Sequence, residues 1–309
     1  MCMGIKNRIK ELKHDYSKRW PLYFVLRKPI GCLLSDKQFV KLLYYLNFGR
    51  KCDLKNPSTF NEKIQYLKLY NRKQVYTIMA DKYLCKEYVG NLIGSKYVVP
   101  LVAVFNSTSE INIEELPSKF VIKTTHGCGG MIIQKGNGSI DYSSRFKELE
   151  KSLRSNYYNI GREWPYKNIK PRIIVEELLE DPSRDQIIVY KFFCFNGVPF
   201  IVQVIQDDKK ETETIDYFDM EWNLLDLKQN FPNSENHLSK PYSFDEMKDI
   251  AARLSIGFPF LRVDLYEVNR RIYFSEFTFF SDNGTKRFEP ECWDSILGEK
   301  IDLSLIKKE

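Results

Sequence analysis

The chain has 309 residues, 43% hydrophobic, 14% aromatic and 28% charged, with a formal net charge of +6. That composition supplies two or three buried cores and no apolar run near the roughly 20 residues of a membrane span. Seven scattered cysteines without a C-x-x-C pair and only three histidines argue against a zinc site, a disulfide framework or a histidine-rich metal centre.

The moderate positive charge is diluted by acidic residues almost everywhere, so nucleic acid is not an expected partner. The exception is the first twenty residues, with Lys6, Arg8, Lys10, Lys13, Lys18 and Arg19. They read as a solvated helix face, or alternatively as weak docking on an anionic membrane surface. The same stretch lacks the apolar core of a signal peptide, and the expected compartment is the cytoplasm.

Residues 1 to about 55 read as helical and mixed, with a dense apolar face over Gln38 to Asn47 and a stop at Gly49. Thr59 and Glu62 have the spacing of a capping box, in which each satisfies a free amide at a helix start. A second helix is expected from Val75 to Val89, through Ala80-Asp81-Lys82, ending near Gly90; Tyr97 to Phe105 reads as a strand interrupted by Pro100.

Phe120 to Gln134 holds two apolar runs around Thr124-Thr125-His126-Gly127-Cys128-Gly129-Gly130. Glycines let the backbone turn tightly and present bare amides, and Lys123 adds a point charge. The segment is either an ordinary hairpin turn or a cover over phosphates. It is not a Walker A loop, because the lysine precedes the glycines and a strand follows. His126 alone reads as structural.

Tyr142 to Asn159 is expected to be a helix and Arg162 to Pro171 an aromatic, basic loop. Arg172 to Leu179 is a buried strand running into Glu176-Glu177, a pattern that can line a base-binding slot. Ile187 to Val204 is the clearest hairpin, turning at Asn196-Gly197. Lys191 lies on the face opposite Tyr190 and Phe192 and needs a partner in so apolar a strand, either a phosphate or an acid. A short hairpin is expected through Thr214 to Leu225. Ser243 and Glu246 repeat the capping-box spacing, for a helix through Leu254 with Gly257 as its stop. A short helix is expected near Cys292 to Leu297.

Arg262 to Phe280 carries the strongest pattern: two strands rich in aromatic and β-branched residues around Asn269-Arg270-Arg271. A three-residue loop with Arg270 at its apex sets Val268 against Ile272, Asp264 against Glu276 and Arg262 against Thr278. A two-residue loop would set Asp264 against Ser275. Opposed carboxylates sit about 5 Å apart and repel unless a cation lies between them or one is protonated. Hard divalent cations such as magnesium choose such ligands. The bland alternative is a solvated face of an edge hairpin.

Taken together, TFNEKIQYLKLYNR, ADKYLCKEYV, FVIKTTHGCGGMIIQK, VEELL, YKFFCFNGVP, RVDLY and SEFTFF resemble, in that order, the ATP-grasp superfamily. More narrowly they resemble its TupA-like members, found with bacterial capsule, teichuronic-acid and exopolysaccharide genes. The resemblance runs from about Pro57 to the end. It implies an α+β fold with the nucleotide between two α+β lobes. The divisions it suggests are a mostly helical region over 1–95, a lid with the Gly-rich hairpin over 96–178, and a subdomain with the magnesium site over 179–309.

It also implies ATP and Mg2+ as cofactors and an ADP-forming carboxylate–amine ligase acting through an acyl phosphate. The expected substrates are an amino acid or other small amine and a uronic-acid-containing sugar or glycan. By resemblance, Lys123 meets the α-phosphate and adenine side, and the loop His126, Gly127, Gly129 and Gly130 covers the phosphates. Glu176, Glu177 and Leu178 form the adenine connection, and Lys82 and Lys191 face phosphate. Arg262 steadies the acyl phosphate and tetrahedral intermediate, while Asp264 and Glu276 ligate magnesium. Thr278 stands where many such enzymes have Asn, which puts a second metal in question. A capsule glycosyltransferase is the alternative; it calls for Asp-x-Asp, and the chain offers only Asp219-x-Glu221. A non-catalytic nucleotide-binding partner is the third reading.

Overall fold

The computed structural model describes Leu26, Gly31 and residues 33–306, apart from 128, 137, 139, 183, 185 and 209. The basic stretch in the first twenty residues, with its membrane-docking expectation, lies outside the described residues. Within them, helices α1 (Asp36–Phe48), α2 (Phe60–Tyr70), α3 (Gln74–Ala80) and α4 (Leu84–Ile93) come first. Strands β1 (Leu101–Phe105), β2 (Lys119–Thr124) and β3 (Met131–Lys135), helices α5 (Tyr142–Leu153) and α6 (Tyr158–Gly161), and β4 (Ile173–Glu177) follow. Then come β5 (Val189–Phe195), β6 (Val198–Gln206), β7 (Thr214–Phe218), α7 (Phe244–Ser255), β8 (Leu261–Val268), β9 (Arg271–Thr278) and α8 (Cys292–Lys300).

The strands form two antiparallel sheets, β1-β4-β2-β3 and β7-β6-β5-β8-β9, so the chain is α+β. The first sheet packs Phe120, Ile122, Ile132, Ile173 and Val175 around Leu149 of α5. The second builds the large core. Phe192 of β5 stacks on Phe244 of α7 with centroids 5.8 Å apart. Phe193, on the other face, meets Phe60 of α2 and Phe260. That second face is therefore covered by α2 at one end and left open at the end holding Lys191, because strand side chains alternate.

Several local expectations hold. Thr59 and Glu62 form the capping box, and Gly49 ends α1 in the left-handed conformation. Asn196 and Gly197 have φ of 48° and 82°, as a two-residue hairpin turn requires. Others need correction. The helix expected over Val75 to Val89 is broken at Asp81–Tyr83 and runs past Gly90 to Ile93. Asp81 breaks it: its buried carboxylate accepts from the Tyr83 amide at 2.8 Å instead of letting the turn continue. The helix expected over Tyr142 to Asn159 likewise ends at Leu153 and restarts as α6. Ser243 precedes α7 but forms neither the box nor any side-chain capping bond. Its amide is taken by Glu267 (3.2 Å), and Glu246 reaches Tyr97 instead (2.5 Å).

The hairpin loop in β8–β9 is also corrected. It has two residues, Asn269 and Arg270, both at positive φ, and Val268 pairs with Arg271. A bulge between Asp264 and Leu265 then shifts the register by one. Asp264 therefore faces Glu276 and Arg262 faces Thr278 after all, with Ser275 as the extra residue.

The polar face of α2 shapes one wall of the cleft described below. Gln65 donates to the Asn283 and Gly284 carbonyls at 2.9 and 2.7 Å. Lys68, fully buried, donates to the Asn283 carbonyl at 2.6 Å and to its side-chain oxygen. Asp282, Asn283 and Gly284 are all left-handed, and a Cβ on Gly284 would lie 2.7 Å from the Ile64 side chain. Gly284→Ala is expected to lose roughly 1–2 kcal/mol from backbone strain and about 1–3 kcal/mol from overpacking, read by urea denaturation.

Candidate active site

A cleft between the two sheets is lined by Lys82, Gly127, Lys191, Arg262, Glu276 and Thr278, six residues singled out in the sequence. Lys82 sits in the turn between α3 and α4. Its amide donates to the Thr125 carbonyl (3.0 Å) and its Nζ to the Gly127 carbonyl (3.0 Å). Nζ also lies 3.7 Å from Glu276 Oε2, so one lysine touches both the Gly-rich loop and the second sheet. The turn is anchored by Asp81, which is 1% exposed and pairs with Arg172 at 3.2 Å.

The sheet register builds the floor. Gln203, Lys191, Asp264 and Glu276 are successive partners across β6, β5, β8 and β9. Lys191 is 3.8 Å from Asp264. The Arg262 guanidinium grips Asp264 with two bonds of 2.8 Å, and also donates to Thr278 (2.9 Å) and Ser281 (3.2 Å). It stands 3.7 Å from Glu276 Oε1. The cation between the two opposed carboxylates is thus the protein's own guanidinium. Burial alone would raise the Glu276 carboxyl, but the Lys82, Arg262 and Lys191 charges hold it well below the usual carboxylate range.

The three metal candidates are not equivalent. Glu276 is 37% exposed and opens on the cleft with Thr278. Asp264 is wholly buried, with both oxygens held by Arg262. Among the described residues no group of three or more His, Cys, Asp or Glu stands ready to hold a metal by itself. A site of this kind suits magnesium, which takes one or two carboxylates and completes its shell with phosphate oxygens and water.

Lys123 and Glu176 stand apart from that cleft. Lys123 lies diagonally across β2–β4 from Glu176 and pairs with it at 2.5 Å, while Lys86 takes the other carboxylate oxygen at 2.5 Å. Burial works against both charged forms, but the carboxylate keeps Lys123 above its ordinary value and the two lysines keep Glu176 below its own. Lys86 also donates to the Val99 carbonyl at 2.7 Å. Glu177 is exposed and its amide meets the Pro100 carbonyl, with Leu178 beside it half-buried. His126 is buried, and its Nε2 lies 3.1 Å from the Ser152 and Ser155 carbonyls, to which it donates. Burial lowers its pKa, so it joins the loop to α5 as a neutral ring. Gly129 and Gly130 have φ of 119° and 60°, which lets the loop reverse.

The sequence reading missed several lining groups: Tyr157, Glu163, Tyr166, Gln203, Asn230, Asp282 and Asn283. It also missed Lys86 and Asp81. For Lys86 a signal existed, since it falls one turn after Lys82 in ADKYLCKEYV. For Gln203 one existed too, since it lies opposite Lys191 in the hairpin turning at Asn196-Gly197; the others reach the cleft from loops and short turns, which gave none.

Two antiparallel sheets facing each other across a cleft of lysines, an arginine and a glutamate, with a glycine loop at its mouth, define an ATP-grasp enzyme. Residues 62–302 match the TupA-like ATPgrasp family model, and the chain belongs to that family. No curated protein matches the sequence. Among solved structures the chain is similar to the D-alanine–D-alanine ligase of Helicobacter pylori, at 13% identity and a TM-score of 0.44, covering 82% of this chain and 69% of that one. It is similar to the Bacillus anthracis D-alanine–D-alanine ligase complexed with ATP (12%, TM-score 0.39, 72% and 65% covered). It is similar too to the ATP-grasp ligase PsnB complexed with a phosphomimetic precursor variant, Mg and ADP (10%, TM-score 0.41, 75% and 60%). The match thus spans about two thirds or less of most of these enzymes, and what they bind is a property of theirs. No helix among the described residues is long and apolar enough to cross a membrane.

Proposed function

We propose that this chain is a cytoplasmic ATP-dependent, ADP-forming carboxylate–amine ligase that joins an amino acid or other small amine to a uronic-acid carboxylate in capsular or exopolysaccharide synthesis. The observation that carries the ligase reading is the convergence of Lys82, Lys191 and Arg262 on Glu276 in one cleft. The glycan substrate rests on the family's resemblance alone.

A carboxylate does not condense with an amine at neutral pH. Phosphorylation by ATP makes it an acyl phosphate, whose formation needs alignment and charge neutralisation more than covalent help. Glu276, with Thr278, would hold a magnesium ion that screens phosphate oxygens, and Asp264 would join only where the Arg262 fork opens. Lys82 and Lys191 offset the remaining negative charge from the loop side and the floor. Lys123 and Lys86, already charged against Glu176, suit the α-phosphate end. Arg262 is placed to receive the oxyanion when the amine attacks. The loop around Gly127 excludes water that would hydrolyse the acyl phosphate.

Thermal shift tests the nucleotide part directly. Mg-ATP at 100 times its dissociation constant is expected to add roughly 2.7 kcal/mol of stability, and ATP with chelator much less. A shift produced only by a UDP-sugar would overturn the ligase reading in favour of a glycosyltransferase.

A further inference from the structure

Glu163 is the buried acid on the cleft wall that the reactions above leave unused. It is 6% exposed, follows the left-handed Arg162, and lines the same cleft as Arg262, Lys191 and Glu276. Its backbone carbonyl accepts from Tyr166, but its carboxylate has no hydrogen-bond partner among the described residues, only charges near it. Among the described residues the cation acting most strongly on it is Lys68, which spends its ammonium on Gln65 Oε1 (3.0 Å) and the two Asn283 oxygens. Among the described residues, the other charged and titratable groups around Glu163 are Arg262, Asp282 and Tyr166.

The carboxylate lines the cleft with no donor to it among the described residues, so its acceptor positions are left for water or a ligand. The cleft wall therefore offers an acceptor without a donor, beside the arginine assigned to the oxyanion. An amine arriving at neutral pH is an ammonium, rich in N–H donors and unreactive until it loses a proton. We propose that Glu163 receives the ammonium of the amine substrate and takes its proton as the amine attacks.

This rests on the ligase reading. One N–H bond of the ammonium breaks and an O–H bond forms on Glu163. The freed lone pair attacks the acyl-phosphate carbonyl carbon. The C–N bond forms, the C–O bond to phosphate breaks with its electrons going to phosphate, and the second nitrogen proton passes to that phosphate. Burial pushes the Glu163 carboxyl up, with Lys68 opposing it, which suits a group that must take and release a proton near neutral pH.

The test compares two amines that differ in needing a base. Hydroxylamine is a weak base and arrives neutral; L-alanine and ethanolamine arrive protonated. Wild-type protein and Glu163→Gln are given Mg-ATP with glucuronate, galacturonate or their UDP forms, and each amine in turn. The expected result is that Glu163→Gln keeps hydroxamate formation within about threefold while amide formation falls on the order of a hundredfold and recovers as pH rises. Equal loss with both amines, or no loss with either, overturns the proposal. Should Glu163→Gln fail to fold, the wild-type rate ratio of amide to hydroxamate is read against pH. The proposal requires that ratio to fall with acidification through the titration of a single group of the enzyme, and a ratio that follows only the free amine's ionisation overturns it. Wild type releasing no ADP with any carboxylate in the set overturns the ligase reading itself, a result separable from the split between amines.

Discussion

Asp264→Ala is expected to lower the unfolding free energy by about 3–5 kcal/mol, the typical cost of stranding a buried charge. Asp264 is wholly buried and Arg262 nearly so, and the two share a two-bond fork at 2.8 Å. Removing the acid leaves the guanidinium with Thr278, Ser281 and the more distant Glu276. Replacing both partners with apolar residues removes the stranded charge as well, so Arg262→Leu combined with Asp264→Leu is expected to be less destabilised than either single change. Guanidinium denaturation of wild type, Arg262→Leu, Asp264→Leu and the double variant closes the cycle. Activity behaves differently: every variant lacking Arg262 is expected to lose about a hundredfold or more in turnover, the usual effect of removing one oxyanion donor. Stability recovering in the double variant while turnover does not would separate the two roles of this arginine.

Glu276→Ala is expected to abolish the magnesium-dependent part of ATP binding and to reduce ADP release by two orders of magnitude or more. It removes the acid on which Lys82, Lys191 and Arg262 converge, leaving three cations facing one another. The sign of its pH effect follows from its depressed pKa. A carboxyl more acidic in the folded chain than in the unfolded one adds stability above its unfolded pKa, and that contribution is lost as pH falls through the folded value. The wild-type advantage over Glu276→Ala should thus be full at neutral pH, persist in mild acid and vanish in strong acid. Thermal melts of both proteins across that range measure it. An advantage that grows on acidification would contradict the assignment.

What could be read in the sequence was local. The Asn196-Gly197 turn, the Thr59–Glu62 cap and the Gly49 stop each depend on a few adjacent residues, and each is present. The β8–β9 register is more instructive. Asp264 faces Glu276 because a two-residue loop and a bulge compensate, and no pattern of alternation distinguishes that from a three-residue loop. The Ser243–Glu246 spacing fitted a capping box, but Glu267 and Tyr97, distant in sequence, offered better partners. Most of the unread part of the site is of this long-range kind. Lys68 meets Asn283 across 215 positions, and Glu163 is brought to the cleft by the loop after α6, where composition suggested only an aromatic, basic linker.

The most direct measurement follows one oxygen atom. Wild-type protein is incubated with Mg-ATP, an amine mixture of L-alanine and ethanolamine, and a uronate labelled with 18O in its carboxylate. If the reaction passes through an acyl phosphate, one labelled oxygen leaves with the phosphate for each amide formed, and ADP accumulates in the same proportion. Amide formed with unlabelled phosphate, or label retained in full by the carboxylate while ATP is consumed, would contradict the account.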